Sequence, residues 1–343
     1  MIKFRTSREV IEVARKKIKP MVWKWLDGSA EYGHTTIKNR EIFRKISIIP
    51  RVLNNTLKLN IQKNFFGKIV SSPILISPVG GLNQFDIRAE HLISKGSEKN
   101  KVPYFFPNNS ADTLKKINPK KNKEFLCSSL YLDNDFSFIK KSILDAENNG
   151  CLCIAITVDS PVRPYSYNKM DQGYDARKHY KKKPLNYYRK KIGSPILWKD
   201  LENIRKLTKK PIILKGILSK QDARKACSLG VDGIWISNHG GRALETDITS
   251  IEVLEGIKSV IPKKIVTIAD GGVRTGTDVL KMLSLGADFV GIGRPVAYGI
   301  IAGGYIGVNT ILSNLIDEFK ITMKLAGISN LDQIKSIEKI KGF

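Results

Sequence analysis

Eight short apolar runs, at residues 73–76, 103–106, 124–130, 152–158, 211–214, 233–236, 265–269 and 289–292, most narrow what this chain can fold into. Amphipathic helical patterns separate most of them, for example at 219–229 and 275–285. Strands that alternate with helices are joined by crossovers and therefore run parallel. Eight such strands close into a (β/α)8 TIM barrel, which typically takes about 250 residues. An open doubly wound sheet is the competing arrangement. The count of eight and the polar residues that follow the runs favour the barrel. The sequence reads as a single domain over 1–343, with a helical preface at 1–70. The longest break in the pattern, 166–194, is basic and rich in tyrosine, as expected of a lid after the fourth strand.

Charge and cysteine content limit the function classes. The chain carries 58 Lys+Arg against 32 Asp+Glu, a formal net charge of +26. Its basic residues are spread along the whole length, which argues against a nucleic-acid footprint and is also what compositional drift produces. Contact with a membrane surface is left open, although no run reaches the roughly 20 apolar residues of a spanning helix. The N-terminus lacks the apolar core of a signal peptide, so a cytoplasmic protein is expected. Cys127, Cys151, Cys153 and Cys227 show no metal-site spacing, and no metal is expected.

Polar groups gather where barrel strands end. Asp159 follows Thr157-Val158, Lys215 follows Ile212-Ile213-Leu214, and His239 and Arg242 follow the sixth run. A titratable base beside a fixed cation suits chemistry in which a proton leaves while negative charge develops. The turns Asp270-Gly271-Gly272-Val273-Arg274 and Gly291-Ile292-Gly293-Arg294 follow the seventh and eighth runs. Two Gly/Arg turns at those positions make a phosphate cradle.

Taken together, Pro211-Ile-Ile-Leu-Lys-Gly216, Ser237-Asn-His-Gly-Gly-Arg242, Asp270-Gly-Gly-Val-Arg-Thr-Gly-Thr-Asp278 and Gly291-Ile-Gly-Arg-Pro295 resemble the FMN-dependent α-hydroxy acid oxidases and dehydrogenases. Gly28-Ser-Ala30, Asn39-Arg40 and Pro50-Arg-Val-Leu53 extend the likeness toward the start. The resemblance implies FMN held by Pro78, Val79, Cys127, Thr157, Lys215, Ser237, Asp270, Gly271, Gly272, Arg274, Gly293 and Arg294. It implies His239 as base, oriented by Asp159, with Lys215 facing the flavin and Arg242 gripping a carboxylate. It also implies a homo-oligomer.

Departures from the family pattern touch the substrate. Trp25 stands where the family has a tyrosine, Ser129 stands at a second tyrosine position, and Cys127 replaces a glutamine. A second arginine is expected near Ser166, with Arg163 close by. The substrate-binding set is thus Trp25, Ser129, Arg163, His239 and Arg242. The expected activity is FMN-dependent oxidation of a 2-hydroxy acid, or a related carbinol larger than glycolate or lactate. Oxygen, a quinone and a partner protein are all open as electron acceptor. The alternatives are a tailoring flavoenzyme acting on a natural product or peptide, an isomerase that uses reduced flavin, and a flavin-binding barrel without turnover.

Overall fold

The computed structural model describes residues 3–110, 112–131, 136–161, 166–167 and 197–343. Arg163, and the expected lid beyond Ser166 and Tyr167, lie outside the described residues. Three helices, Ser7–Lys17, Pro20–Asp27 and His34–Glu41, precede β1 (Ile46–Ile48). An antiparallel hairpin of β2 (Lys63–Phe65) and β3 (Lys68–Val70) follows. The closed barrel comprises β4 (Ile74–Ile76), β5 (Tyr104–Pro107), β6 (Leu126–Tyr131), β7 (Ile154–Thr157), β8 (Ile212–Ile217), β9 (Gly233–Ile236), β10 (Val266–Asp270) and β11 (Phe289–Ile292). All eight expected runs are strands, and every pairing around the ring is parallel. A last strand, β12 (Lys339–Lys341), pairs antiparallel with β1 and ties the two ends of the chain together.

The helices start where the chain supplies caps. Thr249 accepts from the Glu252 amide and Thr275 from the Asp278 amide, and each acid reaches back to its cap residue's backbone. Such reciprocal capping satisfies donors that a helix start would otherwise leave unpaired. Helix Gly276–Ser284 then buries Val279, Leu280, Met282 and Leu283 against the sheet. The long C-terminal helix Tyr305–Leu325 buries Val308, Ile311, Leu312, Leu315 and Phe319 in the same outer layer.

The expected helical preface holds only through a short 3-10 turn at Ile42–Lys45. Beyond it come β1 and the β2–β3 hairpin, at whose tip Phe66 and Gly67 adopt positive φ values of 47° and 88°. Two left-handed residues in succession form the tight turn that matches the twist of a hairpin. The hairpin delivers Phe65, fully buried, into the barrel. Its ring meets Phe289 at 4.9 Å and Phe105 at 6.2 Å, both edge-on, and Phe105 meets Trp235 at 4.8 Å. These rings, with Leu75, Cys127, Ala155, Ile213 and Ile268, fill the interior.

Asp288, just before β11, fastens this assembly. It accepts from Lys258 Nζ at 2.8 Å, the Thr267 amide at 3.0 Å and Lys63 Nζ at 3.4 Å. Burial alone would raise its carboxyl, but the Lys258 hydrogen bond and the Lys63 and Lys258 charges hold it below the usual carboxylate range. A depressed folded-state pKa stabilises the fold above the unfolded carboxyl's pKa, and that contribution fades as pH falls through the folded value. Asp288→Asn should therefore be less stable than the parent at pH 7, with the gap closing below about pH 4, as urea unfolding across pH will show. Phe65→Ala should cost about 3–5 kcal/mol by the same measurement, because it empties a packed interior.

Candidate active site

Inward positions on a barrel strand recur every second residue. One step beyond the apolar interior, that period reaches Ser77 after Leu75, Ser129 after Cys127, and Thr157 after Ala155. It likewise reaches Lys215 after Ile213, Ser237 after Trp235, Asp270 after Ile268, and Gly291 after Phe289. Ser77, Lys215, Asp270 and Gly291 line a cavity of about 290 Å³ at the C-terminal ends of the strands. Pro78, Val79, Gly271, Gly272, Arg274, Gly293, Arg294, His239, Arg242 and Trp25 complete much of its wall.

The loop after β9 bends sharply. His239, Gly240 and Gly241 take φ of 58°, 66° and 77° in succession. A left-handed histidine is uncommon and must be held by its surroundings. Two asparagines hold it. Asn238 Nδ2 donates to Asn39 Oδ1 at 2.8 Å, and Asn39 Nδ2 returns the bond to Asn238 Oδ1 at 3.1 Å, both buried. The His239 amide donates to Ser237 Oγ at 3.1 Å, and the Ala30 amide donates to the Gly241 carbonyl at 2.8 Å.

His239 is thereby aimed at both neighbours. Its Nδ1 lies 2.9 Å from Asp159 Oδ1, and its Nε2 lies 3.0 Å from the Tyr131 hydroxyl. Asp159 fits because β8 bulges at Gly216, where φ is +104° and a Cβ would sit 2.5 Å from the Asp159 side chain. Burial would raise the Asp159 carboxyl, yet the His239 hydrogen bond and charge, then the Lys215 charge, hold it below the ordinary range. It is therefore an ionised carboxylate at neutral pH, accepting the Nδ1 proton and leaving Nε2 as the basic atom.

Lys215 Nζ donates to Ser237 Oγ at 3.0 Å and stands 3.9 Å from Asp270 Oδ2. Ser77 Oγ donates to the same Asp270 oxygen at 3.3 Å. The other oxygen, Asp270 Oδ1, is buried without a partner, as are Arg274 Nε and Nη2. An orphaned acceptor and two orphaned donors on residues that line one cavity call for a ligand with both hydroxyls and an anion. Burial pulls the guanidinium groups of Arg274 and Arg294 below their ordinary value, and each further feels the other cations. A phosphate would relieve both penalties. Asp27, hydrogen-bonded by the Tyr298 hydroxyl at 2.7 Å, partly offsets this positive cluster. Residues of this chain therefore fit FMN: Arg274 and Arg294 for the phosphate, and Asp270 for the ribityl hydroxyls.

Arg242 is half-buried. Its Nη1 donates to the carbonyls of Trp25, Leu26 and Gly28 at 3.2, 2.9 and 2.8 Å, capping the end of helix Pro20–Asp27. Its guanidinium lies 5.7 Å from the Trp25 ring centre. The expected substrate cation is thus also a clasp between the loop and the N-terminal segment. Thr157, Ser129 and Ser237 are buried and stand behind the cavity surface. Cys127 falls one inward step too low. Its thiol lies in the apolar interior opposite Cys153, so it is not on the cavity wall, and burial pushes it far from ionising.

Tyr131, Ser77 and Asp27 enter the site without having been expected there. For Tyr131 the signal was the two-residue period itself, since 127, 129 and 131 share one face of β6.

A family model described as FMN-dependent dehydrogenase matches residues 14–339. An L-lactate dehydrogenase of Alcaligenes faecalis is 30% identical, covering 96% of this chain and 97% of its own length. A peroxisomal (S)-2-hydroxyacid oxidase of Arabidopsis thaliana is 33% identical over 95% of this chain and 93% of its own. Among solved structures, mandelate oxidase with (S)-4-hydroxymandelic acid superposes with a TM-score of 0.92 at 27% identity, over 99% of both chains.

Arg274→Ala should weaken FMN binding by about ten- to a hundredfold, the size of a lost charge-assisted contact, in a flavin fluorescence titration. Gly272→Ala should also yield protein poor in flavin. A Cβ at position 272 would lie 1.8 Å from the Asn39 carbonyl oxygen, at a φ of +81°. The ratio of flavin to protein absorbance after gel filtration reads this directly.

Proposed function

This chain belongs to the FMN-dependent dehydrogenase family, and from that footing we propose that it oxidises an α-hydroxy acid to the 2-oxo acid with His239 as base. The observation that carries the reading is His239, paired with Asp159, on the wall of the cavity that Asp270 and Arg274, with their orphaned atoms, also line. FMN, when bound, supplies the acceptor for the two electrons that leave the substrate.

The protein's own groups manage charge and protons. His239 Nε2 takes a proton from the substrate, and Asp159 stabilises the imidazolium that results. Arg242 offers a fixed cation to the carboxylate, and Lys215, on the cavity wall, would offer its ammonium to the negative charge that bound FMN gains with the electrons. Relatives named for L-lactate, (S)-2-hydroxy acids and mandelate support a small 2-hydroxy acid as the substrate class. A preference for acids larger than glycolate or lactate is part of the proposal, with Trp25 on the cavity wall as the apolar surface such an acid would meet. Oxygen, a quinone or a protein as acceptor, a homo-oligomeric state and a cytoplasmic location complete the reading, and no described helix is long and apolar enough to cross a membrane.

Anaerobic addition of 2-hydroxy acids of increasing size should bleach the FMN absorption of the loaded enzyme. In His239→Gln the bleaching rate should fall by about 10²- to 10⁴-fold, with FMN content unchanged. A loaded parent enzyme that no 2-hydroxy acid bleaches would overturn the proposal.

A further inference from the structure

We infer that the end of the barrel opposite the cavity docks on an anionic membrane surface, where loop lysines meet the lipid headgroups around the exposed side chain of Ile69. The inference is independent of the chemistry in the cavity, because it rests on residues at the N-terminal ends of the strands.

Parallel strands put every loop that enters a strand at one end of the barrel and the cavity loops at the other. Basic residues scattered along the chain are gathered by this arrangement. The stretches leading into β5, β6, β8 and β10, at 99–103, 118–123, 208–211 and 259–264, contain lysines and no carboxylate. Lys101, Lys120, Lys121, Lys209, Lys263 and Lys264 are exposed there, and none forms an ion pair among the described residues. Carboxylates at the same end are turned to other partners. Glu124 pairs with Lys68 at 2.8 Å, Asp232 with Arg205 at 2.9 Å, and Asp288 with Lys258 and Lys63. Glu98 accepts the Phe125 amide at 3.0 Å, and Glu147 accepts the Thr208 hydroxyl. Asp145, near the end of helix Phe136–Asn148, is exposed as well, one carboxylate against those six ammoniums. Lys101 and Lys121 each hold a φ of 51°, where glycine or asparagine would cost less, so the local fold does not call for lysine at either place.

Shape and chemistry decide the partner. Loops around one end of a closed barrel present a broad end face, which suits a flat charged layer better than a groove that tracks a strand. Lysines are compact point charges that attract a headgroup layer, whereas Arg205, at this end, is engaged by Asp232 and by the carbonyls of Thr208 and Lys210. The β2–β3 hairpin is tied to the same end by Lys68 on Glu124 and Lys63 on Asp288. Phe65 and Val70 are buried, so the paired Asn64 and Ile69 face outward, and Ile69 is 54% exposed. Nucleic acid phosphates offer an aliphatic side chain nothing to bind, while the boundary between headgroups and acyl chains takes it up. Docked this way, the enzyme turns its cavity away from the lipid, and substrate reaches it from the aqueous side.

The test is flotation of the FMN-loaded enzyme with phosphatidylcholine vesicles, with and without about 30% phosphatidylserine, at low and high salt. We expect binding to the anionic vesicles alone, fading as salt screens the lysine charges. The double variant Lys263→Gln/Lys264→Gln should lower the vesicle partition coefficient about tenfold, and adding Lys120→Gln/Lys121→Gln should lower it about tenfold again. Ile69→Ser should lower it by about threefold or more. Lys19→Gln/Lys24→Gln removes two exposed charges at the helix beside the cavity and should change it less than about twofold. The flavin absorbance of each variant reports that it is folded. Equal losses in the two double variants would overturn the inference, because attraction would then follow net charge and not this face. Equal binding to neutral vesicles, or no binding to either kind, would overturn it too. Capture of a short DNA duplex through the same lysines, without vesicle binding, would assign the face to nucleic acid instead.

Discussion

A closed parallel barrel gives each inward side chain one of two surroundings, the packed interior or the open mouth, and the two-residue pleat decides which. This constraint governs the rest of the molecule. Phe65, Phe105, Trp235 and Phe289 fill the interior as interlocked rings. One pleat further along the strands, apolar filling gives way to Ser77, Lys215 and Asp270. A lysine or aspartate in the packed layer would face a desolvation cost that few pairings offset. At the mouth the same groups reach one another and a ligand. The reactive layer therefore exists because the layer beneath it is sealed, in part by a hairpin from outside the barrel.

The N-terminal segment belongs to the site as much as the barrel does. Asn39 and Asn238 exchange amide hydrogen bonds across 199 residues of chain, and Arg242 caps the end of helix Pro20–Asp27. The Glu245 carboxylate receives the amides of Tyr32, Gly33 and His34 at the start of the next helix. These bonds hold His239 in its left-handed conformation, so local strain is balanced by contacts distant in sequence. The base can then keep one nitrogen on Asp159 and present the other to the cavity.

Much of this was legible in the sequence. The eight strands were, because β-branched and aromatic runs bounded by helical patterns carry a strong local signal. Asp159 and Lys215 were legible because each directly follows such a run, and His239 and Arg274 because they stand in the turns just beyond one. The hairpin at 63–70 was hidden, since three-residue strands containing Lys and Asn have no periodicity to read, and only the interior explains Phe65. The placement of Cys127 went astray for a related reason: likeness to a family position does not say which pleat level a side chain occupies. Tyr131 was missed although it lies on the same face of the same strand. The double duty of Arg242 depends on carbonyls more than 200 residues away, which no local pattern encodes.

The most direct test of the central claim is a single anaerobic turnover of the FMN-loaded enzyme with a 2-hydroxy acid, with the product identified by mass spectrometry. The account predicts full loss of the flavin's visible band together with one equivalent of the 2-oxo acid per FMN. Loaded enzyme that keeps its band and forms no 2-oxo acid across acids of different size would contradict it.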